Sequence, residues 1–350
     1  MADSAPNCFD HVDPPVISAV EQCETTTDTP LTGALVRCSS YADEPLPGTA
    51  PFVAHGWILI EHTGAWSHDI FDGETVLPEV SAALKDYADT YGMRIAFIRR
   101  HGRQGHCDIE QRRVYISLSL DGIPELWTGS IVHLRDILRW NPLSPALYGC
   151  TRCTSISVVC THGKRDRCCA INGRPVADAL DKYSREHWGE EPALWEISHI
   201  AGHRFAPAFM TLPGNYMYGR LTPEEAIAVA SAARQGYIDL TKLRGRTSLD
   251  APAQAAELVV AQVLARESQL LTPGLLKATT LVKRTLPRGG DGQRYASSIP
   301  RDGCGMWCCG LSSYHPARKV VGPAPSRAGV GSCTRCTKCQ SSALALGSFR

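Results

Sequence analysis

Residues 154–187 read TSISVVCTHGKRDRCCAINGRPVADALDKYSREH, and the hydrophobic period changes partway along them. Residues 154–159 are rich in β-branched side chains and predict a strand, whereas residues 168–186 space their apolar side chains as a helix does. Between them lies a polar, Gly-containing stretch that starts and ends in cysteine. A strand, a turn and a helix in that order open an α/β unit, and such a turn is where functional side chains are usually presented.

Working outward, residues 194–197 predict another strand that runs into SHIAGHRFAP. Residues 208–218 predict a hairpin around Pro213-Gly-Asn215, and Thr222-Pro-Glu-Glu225 has the form of a capped helix start. A last helix is predicted over 251–269. On the other side, residues 54–62 (AHGWILIEH) predict a buried strand, 77–91 a helix, and 94–99 and 113–120 further strands. A short helix over 131–138 is followed by WNPLSP at 140–145, where two prolines and a polar turn interrupt regular structure. That stretch divides the chain into two α/β halves, residues 51–145 and 146–287. A loosely ordered lead-in precedes them at residues 1–50, and residues 288–350 read as a poorly ordered tail. No repeat of 20 to 50 residues shows in the sequence, and a similar order of strands and helices is the only hint that the halves are related.

The 350 residues carry 36 Lys and Arg against 35 Asp and Glu, a formal net charge of +1. That balance draws the whole chain neither to nucleic acid nor to an anionic membrane, so a charged partner must be met by a local patch. The N-terminal residues lack the basic and apolar segments of a secretion signal, and no stretch approaches the roughly 18 unbroken apolar residues of a membrane span. The expectation is a cytosolic protein, and the 15 cysteines then point to metal or redox chemistry before structural disulfides.

Two elements carry that chemistry. Cys160 and the Cys168-Cys169 pair are joined by a flexible loop that lets two sulfurs converge on one centre, and His199 and His203 lie four apart, with Gly202 between them favouring a turn over a regular helix. Spacing alone leaves an iron–sulfur cluster, zinc and no metal all open, because two Cys and two His suit each metal centre. Thiol–disulfide exchange through Cys160 with Cys168 or Cys169 is a further reading, although the motif is not Cys-x-x-Cys. Lys164, Arg165, Arg167 and Arg204 make the rim basic, with Asp166 alone in the loop to offset them, so an acidic redox partner is expected. His162 reads as a supporting or exposed side chain. No paired carboxylates stand in a context that suggests glycoside hydrolysis; Glu190-Glu191 reads as an exposed turn. The chain therefore reads as an electron carrier rather than a hydrolase. In the tail, Cys304, Cys308 and Cys309 with Cys333, Cys336 and Cys339 also have ligand-like spacing, but the segment lacks a core-forming pattern.

The segments CTHGKRDRCCAINGRPVADAL and WEISHIAGHRFAPAFMTLPGNYMYGRL resemble the signature segments of the sucrase/ferredoxin-like family. RCSSYADEPLPGTAP and WILIEHTGAW resemble its N-terminal block. The resemblance implies a thioredoxin-like fold, and the chain then reads as two thioredoxin-like α/β halves, the second carrying the cluster and the first without one because no second cysteine stands at ligand spacing from Cys107. In the bis-histidinyl ferredoxin branch a 2Fe-2S cluster is held by Cys-x8-Cys and His-x3-His. These patterns map onto Cys160, Cys169, His199 and His203, and favour Cys169 over Cys168. One-electron transfer is the implied role. Each imidazole ligand keeps a second ring nitrogen, so electron and proton uptake are expected to be coupled.

Overall fold

The computed structural model describes residues 38–40, 44–120, 124–189, 193–286 and 290–298. The first half contributes β1 (Gly56–Glu61), α1 (Pro78–Thr90), β2 (Met93–Arg99), β3 (Arg112–Leu118) and β4 (Glu125–Ile131), and a two-residue strand β5 (Thr151–Arg152) follows. The second contributes β6 (Ile156–Cys160), α2 (Arg167–His187), β7 (Leu194–Ile197), β8 (Phe209–Leu212), β9 (Tyr216–Tyr218), α3 (Pro223–Arg234), β10 (Leu243–Arg246) and α4 (Ala251–Arg266).

These ten strands form one sheet, in the order β10-β9-β8-β6-β7-β2-β1-β3-β4-β5. In each half the first two strands are parallel, and the third pairs antiparallel with the first. The two halves therefore repeat one β-α-β-β-β order, and the fold is α/β, as expected for thioredoxin-like units. They meet where β2 pairs antiparallel with β7, Ile98 opposite Ile197 and Arg99 opposite Glu196.

The sheet also bends back on itself. Trp57 on β1 donates its indole N–H to Thr247, just after β10, at 3.1 Å. Ser117 on β3 donates to Asn215 at 2.7 Å, in the turn between β8 and β9. One face of each half thus joins a single buried core containing Trp57, Leu59, Ile98, Val158, Trp195, Ile197 and Met210. The opposite face is covered by α1 in the first half and by α2 and α3 in the second.

Several local expectations are corrected. Ile131 ends β4 instead of opening a helix, and the helical turn there is a 3-10 segment, Leu134–Arg139. The strands β4, ELWTGSI with a central Thr-Gly-Ser, and β10, LRGR, do not read as strands, yet ladder pairing with β3 and β9 satisfies their backbones. The end of the lead-in is tied down: Gly48 N–H donates to Arg244 O at 2.8 Å, and Ala50 N–H to Gln254 at 3.1 Å. Residues 1–37 lie outside the described residues. At the other end, Gly290–Ser298 forms a strand, β12, that pairs with β11 (Lys277–Leu286) in a separate two-stranded sheet. The six cysteines of residues 304–339 lie outside the described residues. Among the described residues no helix is long and apolar enough to cross a membrane.

Candidate metal centre

Cys160 is the last residue of β6, and its N–H is fixed by Ala208 O at 2.9 Å. The chain then turns through residues 161–166 into α2, whose N-cap is Asp166: the carboxylate accepts from Cys168 N at 2.8 Å. That cap places Cys168 and Cys169 in the first helical turn, at the positive end of the helix dipole, where thiolates are favoured. Gly173 lets helix and strand approach closely. A Cβ on it would stand 2.2 Å from Cys160 O, so a larger residue would push α2 off β6.

The histidines come from the segment after β7. Ala201 and Gly202 both have positive φ, 73° and 84°, so the chain reverses between His199 and His203 as a turn, as the glycine suggested. A Cβ on Gly202 would strike the Arg244 guanidinium at 2.5–2.7 Å. That guanidinium is fully buried, bonds to Thr49 and to Ala201 O, and lies over the Phe205 ring.

The outcome is partial convergence. Donor atoms of Cys160, Cys169 and His199 all lie within 4.8 Å of one another, with Cys169 Sγ 4.0 Å from His199 Nδ1. His203 stands close by, its ring centroid 6.0 Å from that of His199, but its nearest partners are elsewhere: Nδ1 faces Asp166 Oδ2 at 3.6 Å. Cys168 does not join the Cys160 set and rests on Cys38 Sγ at 3.3 Å. Both thiols of the Cys160–Cys169 pair are buried. Donation from Cys169 outweighs burial and, with help from His199, holds the Cys160 thiol well below the ordinary thiol range. Cys169, retaining the proton, is pushed up. The arrangement suits a soft or borderline metal ion or an iron–sulfur centre.

The neighbourhood contains residues whose roles the sequence did not reveal. His162 is buried, contrary to the exposed position considered for it; Nε2 donates to Ser67 O at 2.6 Å, and Nδ1 accepts from His199 N at 3.2 Å. It thus fixes the backbone of one histidine, and burial lowers its own pKa. Thr161, next to Cys160, donates to the buried carboxylate of Glu196 at 2.6 Å, which also takes Arg99 and His101 from the first half at 2.8 Å each. Burial alone would raise Glu196, but the His101 and Thr161 hydrogen bonds and the Arg99 charge hold it at about 2. These partners lie 35 to 97 positions from Glu196 in sequence, beyond the reach of local patterns.

The basic rim is also less bare than it reads in sequence. Arg165 pairs with Asp69 at 3.2 Å, and Arg204 with Glu44 at 2.9 Å, both carboxylates coming from outside the loop. Lys164 and Arg167 form no ion pair among the described residues and carry what remains of the positive rim. A cavity of about 490 Å³ lined by Phe52, His68, Lys85 and Arg94 reaches His162 and His199 from the first half.

A family model described as sucrase/ferredoxin-like matches residues 46–245, more than half of the chain and a span that contains Cys160, Cys169, His199 and His203. The chain belongs to the sucrase/ferredoxin-like family. The matched span also takes in both halves of the ten-stranded sheet and stops short of Cys38 on one side and of α4 on the other. No curated protein and no solved structure matches the chain.

Proposed function

We propose that this member of the sucrase/ferredoxin-like family is a cytosolic one-electron carrier that holds a 2Fe-2S cluster with Cys160, Cys169, His199 and His203. The observation that carries the reading is the grouping of two buried sulfurs and an imidazole nitrogen within 4.8 Å, drawn from the end of β6, the start of α2 and the turn after β7. The donor set fits the group: thiolates and imidazoles are its ordinary ligands, and half-exposed His203, its ring centroid 6.0 Å from that of His199, would have to turn from Asp166 to give the fourth. When bound, such a cluster supplies a one-electron couple. The strand end fixes Cys160, the helix cap fixes Cys169, and His162 holds the backbone of His199. Exposed His203 keeps a ring nitrogen within reach of solvent, where a proton can be held or released as the charge of the centre changes. Lys164 and Arg167 would orient an acidic protein partner at the same rim.

Zinc on the same four residues is the rival, and the grouping within 4.8 Å supports it equally well. The test is substitution with colour and metal content as readouts. Cys160→Ser and Cys169→Ser should each abolish iron and sulfide incorporation, whereas Cys168→Ser should retain both. Loss of iron in the Cys168 variant alone would overturn the ligand assignment.

A further inference from the structure

A second donor set stands beside the first, and one of its members comes from the lead-in. Donor atoms of Cys38, Asp166 and His203 lie within 4.8 Å of one another, and Cys168 Sγ is 3.3 Å from Cys38 Sγ. We infer that Cys38, Asp166 and His203 form a mononuclear site for a borderline divalent cation of the zinc class, with Cys168, which lies against Cys38, as the donor that must move to complete it. A tetrahedral zinc with bonds of about 2.0–2.3 Å places neighbouring donors about 3.3–3.8 Å apart. Two thiolates on zinc stand about 3.8 Å apart and a nitrogen and an oxygen about 3.3 Å, so the separations found, 3.3 Å for the sulfurs and 3.6 Å for His203 Nδ1 to Asp166 Oδ2, each lie within about 0.5 Å of what the ion needs. Two thiolates and an imidazole exclude the hard cations calcium and magnesium, which take oxygen ligands.

The scaffold around these donors is fixed without the ion. Asp166 spends Oδ1 on the helix cap, which leaves Oδ2 to face His203. The 3-10 turn Cys38–Ser40 is held where Asn172 donates to Ser39 Oγ at 3.0 Å. Further along, Arg220 donates to Glu44 O at 2.9 Å, and Glu44 takes the Arg204 guanidinium. Residues 38–40 and Glu44 therefore both lie against the His203–Phe205 turn, and Cys38 is the donor delivered there. Zinc would displace both thiol protons to solvent, and its two positive charges against two thiolates and one carboxylate would leave a net charge of −1.

The site shares His203 with the proposed cluster, so the two would compete for that imidazole, but zinc binding here does not depend on the cluster reading. It is tested on the metal-free, reduced full-length chain, titrated with Zn²⁺ against a chromophoric chelator. Cys38 lies outside the Cys160, Cys169 and His199 set, so Cys38→Ser should bind one equivalent fewer than the unaltered chain. Asp166→Asn keeps a good helix cap and hence the fold, and it should weaken the same equivalent by more than about tenfold, since even outer partners of a ligand cost that much. Co²⁺ in place of zinc should show thiolate charge-transfer absorption that Cys38→Ser diminishes. Equal zinc stoichiometry in the unaltered chain and in Cys38→Ser would overturn the inference. So would a Cys38–Cys168 disulfide that forms equally fast under air with and without zinc. Neither outcome bears on iron incorporation, which fails or succeeds separately.

Discussion

Replacing Glu196 with Gln tests the junction on which the site is built. The carboxylate is 6 % exposed and takes Arg99 through two nitrogens, His101 Nδ1 and Thr161 Oγ1. Its folded pKa of about 2 stands against an ordinary value of 4.5. At about 1.4 kcal/mol per tenfold in proton affinity, that difference is worth about 3 kcal/mol at neutral pH. The amide removes this term and leaves Arg99 buried opposite a neutral group, and breaking such a buried pair costs about 3–5 kcal/mol. We expect Glu196→Gln to lose at least about 3 kcal/mol in urea unfolding followed by tryptophan fluorescence. The pH dependence gives an independent check. Because Glu196 is depressed on folding, its contribution is complete above its unfolded value of 4.5 and is lost as pH falls toward about 2. His101 is raised, chiefly by its bond to Glu196, so its contribution is present below its unfolded value and fades as pH rises through the folded one. The variant should flatten both limbs. A loss under about 1 kcal/mol, the range of an exposed ion pair, or an acid limb as steep as that of the unaltered chain, would refute the argument.

Gly173→Ala should cost about 1–3 kcal/mol and lower metal content, since its Cβ meets Cys160 O at 2.2 Å; thermal melts with iron analysis check this. Asn215→Ala should cost about 1–3 kcal/mol in chemical denaturation, because it leaves buried Ser117 Oγ without its acceptor where the two halves close on each other. Reversing Lys164 and Arg167 to Glu should slow reduction of the coloured protein by dianionic dithionite at low ionic strength, with the difference vanishing at high salt; stopped-flow absorbance reads it.

Much of the fold is legible because it is local. The β-branched run before Cys160, the capping pair Thr222 and Glu225, and the helical spacing of residues 77–91 each settle an element within a few residues. What is not legible depends on partners far away in sequence. β10 is LRGR and becomes a strand only because β9 is there to pair with it. The closure of the sheet rests on Trp57 meeting Thr247, 190 positions on. At the site, the grouping of Cys160, Cys169 and His199 follows residues that spacing and resemblance together singled out, while His203, singled out with them, faces Asp166. The placing of Cys38 beside Cys168, 130 positions away, was not legible, and neither was the pairing of Arg165 and Arg204 with Asp69 and Glu44. His162 read as supporting or exposed, and only the structure decides for the supporting role, because a histidine inside a polar loop gives no sign that a carbonyl and an amide wait for its two nitrogens.

The central claim is the cluster, and the most direct measurement is iron, acid-labile sulfide and zinc per chain after anaerobic purification of the full-length protein. A 2Fe-2S centre gives a red-brown protein with two irons and two sulfides per chain, both lost together in Cys160→Ser. A colourless protein holding zinc without sulfide at Cys160, Cys169, His199 and His203 would contradict it.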